Sequence, residues 1–176
     1  MTVDLKESLK GCGALLYGDF TLSSGKKSAY YIDIKKASTN PKVLAEIAER
    51  MAARLNERGM KVDRIAGVVL GSIPLAVALS LRTGIPFVMV RKERKEHGTG
   101  KLIEGVLCPG EKVLVVEDVV TSAGSSAEAI SILRGAGAEV TSVLTVIDRQ
   151  EGGAERLREI GVELVPLLTA EDVLRA

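Results

Sequence analysis

The sequence predicts an α/β fold: a central, parallel, twisted sheet flanked by helices, with a small hood at its N-terminal end. Three observations carry this prediction. From residue 64 onward, short apolar runs alternate with stretches of helical period, the pattern of strands joined by crossover helices. Runs such as FVMV and VLVV are continuous rather than alternating, which suits strands covered on both faces. Aromatic residues are only 3% of the chain and Trp is absent, whereas 46% is hydrophobic, so the core must be aliphatic. The length of 176 residues fits one domain, residues 1–176.

The elements follow in order. Residues 3–12 alternate charge with leucine at helical spacing and read as an amphipathic helix. DFTLSSGKKSAYYIDI, Asp19 to Ile34, reads as two short strands around a Ser-Ser-Gly-Lys-Lys turn, and the hood spans about residues 1–36. In NPKVLAEIAERMAARLNERG, Asn40 can cap a helix, Pro41 suits its first turn and Gly59 can end it. RIAGVVL is a strand, IPLAVALSLRTG a buried helix closed by Gly84, and PFVMV the next strand. Residues 91–105 show no clear period and carry three glycines. Strand 112–117, helix 124–135, strand 139–147, helix 153–160 and strand 162–167 complete the alternation. Ligands of such sheets bind beyond the carboxyl ends of the strands. That rule puts Gly71-Ser72, Glu117 to Ser125 and Asp148-Arg149 on one rim.

Several classes of function are disfavoured. A net charge of +1 points to neither nucleic acid nor a membrane surface as partner. Cys12 and Cys108 are too few and too far apart for a disulfide framework or a zinc site, and read as two reduced thiols. No apolar run is long enough to span a bilayer, and the N-terminus lacks the continuous apolar core of a signal peptide. The expected location is the cytoplasm.

The stretch VLVVEDVVTSAGSSAEAI, Val113 to Ile130, carries the chemistry. A buried strand runs into two acids, then a turn of small and hydroxyl residues, then a helix. Such a turn presents backbone N–H groups at a helix N-terminus, which is an anion site. Carboxylates repel phosphate but accept hydrogen bonds from a sugar diol or hold Mg2+ through water. The order of acids and nest therefore suits a ribose 5-phosphate. Neither the glycine spacing of a dinucleotide fold nor that of a P-loop is present.

VLVVEDVVTSAGSS resembles the phosphoribosyl-pyrophosphate signature of the type I phosphoribosyltransferases. Together with FTLSSGKKSAYYID, GVVLGSIPLAVALS, VRKERKEHGTGKLIEG and VIDRQEGG, in order between residues 11 and 150, it resembles the orotate-specific branch of that family. The resemblance implies the type I phosphoribosyltransferase fold and a homodimer. It also implies an inverting glycosyl transfer: orotate N1 attacks C1 of Mg2+-bound phosphoribosyl pyrophosphate, giving orotidine 5′-monophosphate and pyrophosphate.

The resemblance also assigns residues. Arg91, Lys92, Lys95 and His97 lie in a basic, glycine-flanked segment resembling the family's catalytic loop, which contacts pyrophosphate and reaches into the neighbouring subunit. Residues 91–105 would then close as a lid, although a charge run alone reads as a solvated loop. His97, the sole histidine, is a leaving-group contact able to assist as a general acid. Gly71 and Ser72 match a short pyrophosphate loop, for which the family implies a non-proline cis peptide within 69–72. Glu117 and Asp118 match acids that contact the ribose hydroxyls and organise Mg2+. Val119, Val120, Thr121, Ser122, Ala123, Gly124 and Ser125 continue the implied phosphoribosyl-pyrophosphate string, with 121–125 as the 5-phosphate cradle. Arg149 matches the orotate-binding arginine, whose guanidinium can fork onto a carboxylate. Lys26, Tyr31 and Thr121 complete the implied orotate contacts, though Tyr30 and Tyr31 serve equally well as strand packing. Lys95, His97 and Asp118 are the implied catalytic groups. Two other classes stay open: a phosphoribosyltransferase for purines or another base, and a regulator of the same fold that senses phosphoribosyl pyrophosphate. Arg149 and the hood argue against the first; the balanced charge and the lack of a spare domain argue against the second.

Overall fold

The computed structural model describes residues 4–21, 27–91 and 101–175. Helix α1 (Leu5–Gly11) is capped by the Asp4 side chain, which accepts from Lys6 N, and it buries Leu5 and Leu9. Strands β1 (Leu15–Thr21) and β2 (Lys27–Ile32) form an antiparallel two-stranded sheet of their own. β1 begins at Leu15 rather than Asp19, because Leu15, Leu16 and Tyr17 pair with Ile32, Tyr31 and Tyr30. A short helix α2 (Ile34–Ser38) follows, then α3 (Pro41–Glu57). Asn40 caps α3 by accepting from Lys42 N at 3.1 Å and Val43 N at 3.3 Å. Its buried Val43, Ile47, Met51 and Leu55 recur every four residues and make one apolar stripe.

The main sheet begins with β3 (Arg64–Val68). After it come α4 (Ile73–Thr83), β4 (Phe87–Val90), β5 (Ile103–Glu104), β6 (Lys112–Val120), α5 (Gly124–Gly135), β7 (Glu139–Asp148), α6 (Gly153–Glu159), β8 (Glu163–Thr169) and α7 (Ala170–Leu174). Gly84 takes φ 75°, the left-handed conformation that closes a helix, at the end of α4. Six strands lie in the order β5-β4-β3-β6-β7-β8. All neighbours are parallel except β5, which runs antiparallel to β4 at the edge.

Both faces of the sheet are covered. Leu114, Val116, Leu144 and Val146 face a core shared with α1, α3 and α4. Val113, Val115 and Val143 face a second core with Ala129, Ile130 and Leu133 of α5 and Leu157 of α6. Each fully buried Leu, Ile or Val contributes about 1.5–3 kcal/mol relative to exposure. Consecutive residues are thus buried on opposite sides, which is why these strands read as unbroken apolar runs.

From β3 the chain crosses to β4 on one side and then to β6 on the other. A sheet whose order reverses there opens a crevice beyond the carboxyl ends of the two diverging strands. The crevice between the ends of β3 and β6 is therefore the expected place for a ligand. The packing behind it is tight. A Cβ on Gly67 of β3 would lie 2.9 Å from Ala76 Cβ and 3.2 Å from the Ser72 carbonyl oxygen. Gly67→Ala is expected to force α4 away from β3 and to cost about 1–3 kcal/mol. Urea unfolding checks it: the midpoint falls while the m-value is unchanged.

Candidate active site

The three rim segments expected from the sequence meet at the crevice. Strand β3 gives way to residues 69–72, where the Val69–Leu70 peptide is cis. Ser72 ends that loop at the N-terminus of α4, is 1% exposed, and makes no cap bond to the helix. Its hydroxyl instead donates to Glu117 Oε2 at 2.8 Å. Ser126, in the first turn of α5, donates to Glu117 Oε1 at 2.9 Å. Glu117 is buried.

Strand β6 does not stop at residue 117 as the sequence suggests. Pairing with β7 continues through Val119↔Ile147 and Val120↔Asp148. Both acids therefore lie within the strand, where successive side chains face opposite sides of the sheet. Glu117 shares the α5 side with Val113 and Val115, and Val120 is buried against that core too. Asp118 and Val119 occupy the last positions before the turn; Val119 packs toward the other core, and Asp118 is half-buried. Asp118 Oδ1 accepts from Val119 N at 2.8 Å. A Cβ at Gly71 would collide with the Asp118 carboxylate, so glycine there permits the loop to close over the acid.

Thr121 and Ser122 are exposed, and Ala123 turns the chain in the left-handed region at φ 56°, ψ 22°. That conformation costs a non-glycine residue about 1–2 kcal/mol. Ala123 gives α5 no side-chain cap bond, so the first-turn N–H groups of α5 depend on another acceptor. Residues 117–126 line a cavity of about 250 Å3 here. Gly124 and Ser125 open the helix on its wall. Converging N–H groups at the positive end of a helix, beside hydroxyls, suit a phosphate. The sequence ended this cradle at Ser125; the next residue, Ser126, lines the cavity but is buried and turns its hydroxyl to Glu117, a role its place in the hydroxyl run did not signal.

On the third segment, Arg149 N donates to Val120 O at 2.9 Å, which joins the loop after β7 to the end of β6. The Arg149 side chain is 11% exposed and its Nε donates to Glu151 Oε1 at 2.9 Å. Its guanidinium lies over the Tyr30 ring, 5.0 Å from the centroid. The hairpin register brings Tyr30, rather than Tyr31, onto the rim. Tyr31 is 42% exposed and stacks, tilted, on Phe20 at 5.7 Å.

Arg91 Nε lies 3.4 Å from Glu104 Oε1, and Arg91 N donates to Leu102 O at 2.8 Å, so β4 and β5 clamp the two ends of the basic segment together. Lys26, Lys92, Lys95 and His97 lie outside the described residues. Among the described residues, no group of three or more His, Cys, Asp or Glu side chains could hold a metal. With the Glu117 oxygens accepting from two serines, Asp118 is the carboxylate at the rim whose oxygens fit a hard cation, directly or through water.

A parallel sheet reversing at β3 and β6, with acids and an anion nest at that crevice, defines a phosphoribosyltransferase. Residues 35–161 match the family described as "Phosphoribosyl transferase domain". Over 172 residues, 98% of this chain and 91% of the relative, the sequence is 55% identical to the orotate phosphoribosyltransferase of Methanosarcina acetivorans. The solved orotate phosphoribosyltransferase of Aeropyrum pernix superposes with a TM-score of 0.87 at 37% identity, covering 97% of this chain and 96% of that one. The Mycobacterium tuberculosis orotate phosphoribosyltransferase, solved with 5-phospho-alpha-D-ribosyl 1-diphosphate, gives a TM-score of 0.79 at 30% identity, covering 97% and 96%. The chain belongs to the orotate phosphoribosyltransferase family.

The contact between hood and rim has a pH signature. Burial raises the Tyr30 pKa above its ordinary value of 10.0, with the Arg149 charge opposing the shift. A raised folded-state pKa contributes stability that is present below the unfolded value and lost as pH rises through the folded one. Stability should therefore fall with alkaline pH beyond about 10, and less steeply in Tyr30→Phe. Urea midpoints measured between pH 8 and 11 on both proteins test this; parallel slopes would place the hood contact elsewhere.

Proposed function

We propose that the chain transfers ribose 5-phosphate from phosphoribosyl pyrophosphate to orotate, releasing orotidine 5′-monophosphate and pyrophosphate, in the de novo synthesis of pyrimidine nucleotides. The observation that carries the reading is the single rim on which Asp118, the nest at 121–126 and Arg149 converge. The 5-phosphate takes the nest, the ribose diol lies toward Asp118, and pyrophosphate lies against the backbone of Gly71 and Ser72. Arg91, Lys92, Lys95 and His97 are the cations that would offset the charge moving onto pyrophosphate. The C1–oxygen bond to pyrophosphate breaks and its electron pair leaves on pyrophosphate; orotate N1 then forms its bond to C1 and gives up its proton to water. The Asp118 charge favours the cationic sugar between those events. Orotate is a flat anion, and a guanidinium held in place by Glu151 and Tyr30 is a fitting partner for its carboxylate. A purine offers no carboxylate to that arginine.

Mg2+ accompanies this reading. Asp118, with water and the substrate's own oxygens, would hold it, and when bound it neutralises charge on the pyrophosphate. We take residues 1–176 as one catalytic domain, with a hood at about 1–36 and a catalytic loop at about 91–105, working in the cytoplasm. No helix among the described residues is long and apolar enough to cross a membrane, and Cys12 and Cys108 are both free.

The direct test follows orotate absorbance with Mg2+, with and without phosphoribosyl pyrophosphate; no loss of orotate would refute the activity. Arg149→Ala should raise the orotate KM about ten- to a hundredfold, the worth of a charged hydrogen-bonded contact, while the phosphoribosyl-pyrophosphate KM moves far less. Equal shifts in both would make Arg149 a structural residue.

A homodimer with a shared loop makes a sharper prediction. Lys95→Ala and Asp118→Asn should each abolish nearly all turnover. In a mixed dimer with the loop acting in trans, one site receives an intact cradle and an intact loop while the other receives both defects. Random exchange makes about half of the dimers mixed, so activity should return to about a quarter of wild type. Mass spectrometry confirms exchange, and exchange without recovery rules out the shared site.

A further inference from the structure

We infer that Glu117 is a positioning residue that couples the pyrophosphate loop to the 5-phosphate cradle, so that filling one half of the site tightens the other. The inference rests on the phosphoribosyl-pyrophosphate site proposed above and assigns the two adjacent acids different work. Asp118 is half-buried beside Gly71 and faces the crevice. Glu117 is 5% exposed and turned beneath α5.

The carboxylate of Glu117 joins two segments far apart in sequence. Ser72, 1% exposed, belongs to the loop that ends at α4; Ser126, 2% exposed, belongs to the first turn of α5. Their hydroxyls donate to opposite oxygens of one carboxylate, at 2.8 and 2.9 Å. Both serines sit at helix N-termini, Ser72 before α4 and Ser126 in the first turn of α5. Glu117 keeps both of these donors only while both segments hold their places, and losing either costs a buried, charge-assisted hydrogen bond. A ligand that fixes the α5 turn therefore restrains Ser126, through it Glu117, and through Glu117 the loop at Ser72. Coupling of this kind is reciprocal.

Two fragments of the substrate can read the two halves separately. With Mg2+ present, calorimetry gives the affinity for inorganic pyrophosphate with and without saturating ribose 5-phosphate. The ratio of those affinities is the coupling factor, and any repulsion between the two anions is common to all variants. The wild-type factor should exceed that of Ser126→Ala by about fivefold or more. Ser72→Ala should lose the same coupling, and Ser72→Ala/Ser126→Ala should be no worse than either single variant, because each breaks the same bridge. Thermal unfolding identifies any variant that fails to fold; Glu117→Gln, which keeps the shape and removes the charge, then carries the comparison. A factor equal in wild type and variants, or additive losses in the double variant, overturns the bridge while leaving the substrate reading intact. A wild-type protein that binds neither fragment overturns both.

Discussion

A parallel sheet with helices packed on both faces has no face left for a ligand. In this chain Leu114 and Val116 are sealed under one helical layer and Val113 and Val115 under the other, so only the ends of the strands remain. Between β3 and β6 the connections leave in opposite directions, and the rim opens. The rest of the site follows from that gap. Residues 69–72, 117–126 and 148–151 are brought together there by the topology, and each solves a local problem of burial or charge created by the others.

The central problem is how two acids coexist with a phosphate nest. Like charge at the nest would work against an anion, and the structure separates the two roles by strand alternation. Glu117 is drawn under α5, where two hydroxyls satisfy it; Asp118 stays at the crevice, with the side-chain-free Gly71 against it. The nest is lined by backbone and small side chains, with Arg156 Nη1 3.6 Å from where a Cβ on Gly124 would stand. Its turn holds an alanine at φ 56°, which sets the direction of α5 and leaves that helix without a side-chain cap. Gly153 serves the same turn from behind: a Cβ there would lie 2.6 Å from Val120 Cγ1 and 2.7 Å from the Thr121 carbonyl oxygen.

The alternating elements from residue 64 onward were legible in the sequence because burial on two faces writes itself as continuous apolar runs. Their limits were less so. The end of β6 depends on Val119 and Val120 meeting Ile147 and Asp148, a nonlocal pairing that acids and valines do not announce. β5 and α2 are too short to have a period and are held by neighbours rather than by propensity. The sequence named Tyr31 as the hood's contact with the base, with strand packing as the alternative for both tyrosines, and the register could not be read there for the same reason. Adjacent residues on a strand face opposite ways, and only the register with Tyr17 and Leu16 decides that Tyr30 meets Arg149.

The two halves of the candidate site therefore differ in how they are encoded. The sugar-phosphate half is one contiguous string, Glu117 to Ser126, whose geometry is set locally by a strand end, a left-handed turn and a helix start. Backbone groups do most of its work, so its requirement is for small residues in order, which a sequence displays directly. The base half is assembled from a hairpin near the N-terminus and a loop more than a hundred residues later. Its key contact, Arg149 over Tyr30 with Glu151 on Nε, is made by side chains at positions whose orientation only the fold defines. Such a dispersed pocket can be altered one side chain at a time without disturbing the phosphate nest. A single fold can in this way keep one sugar-phosphate donor while the acceptor base changes.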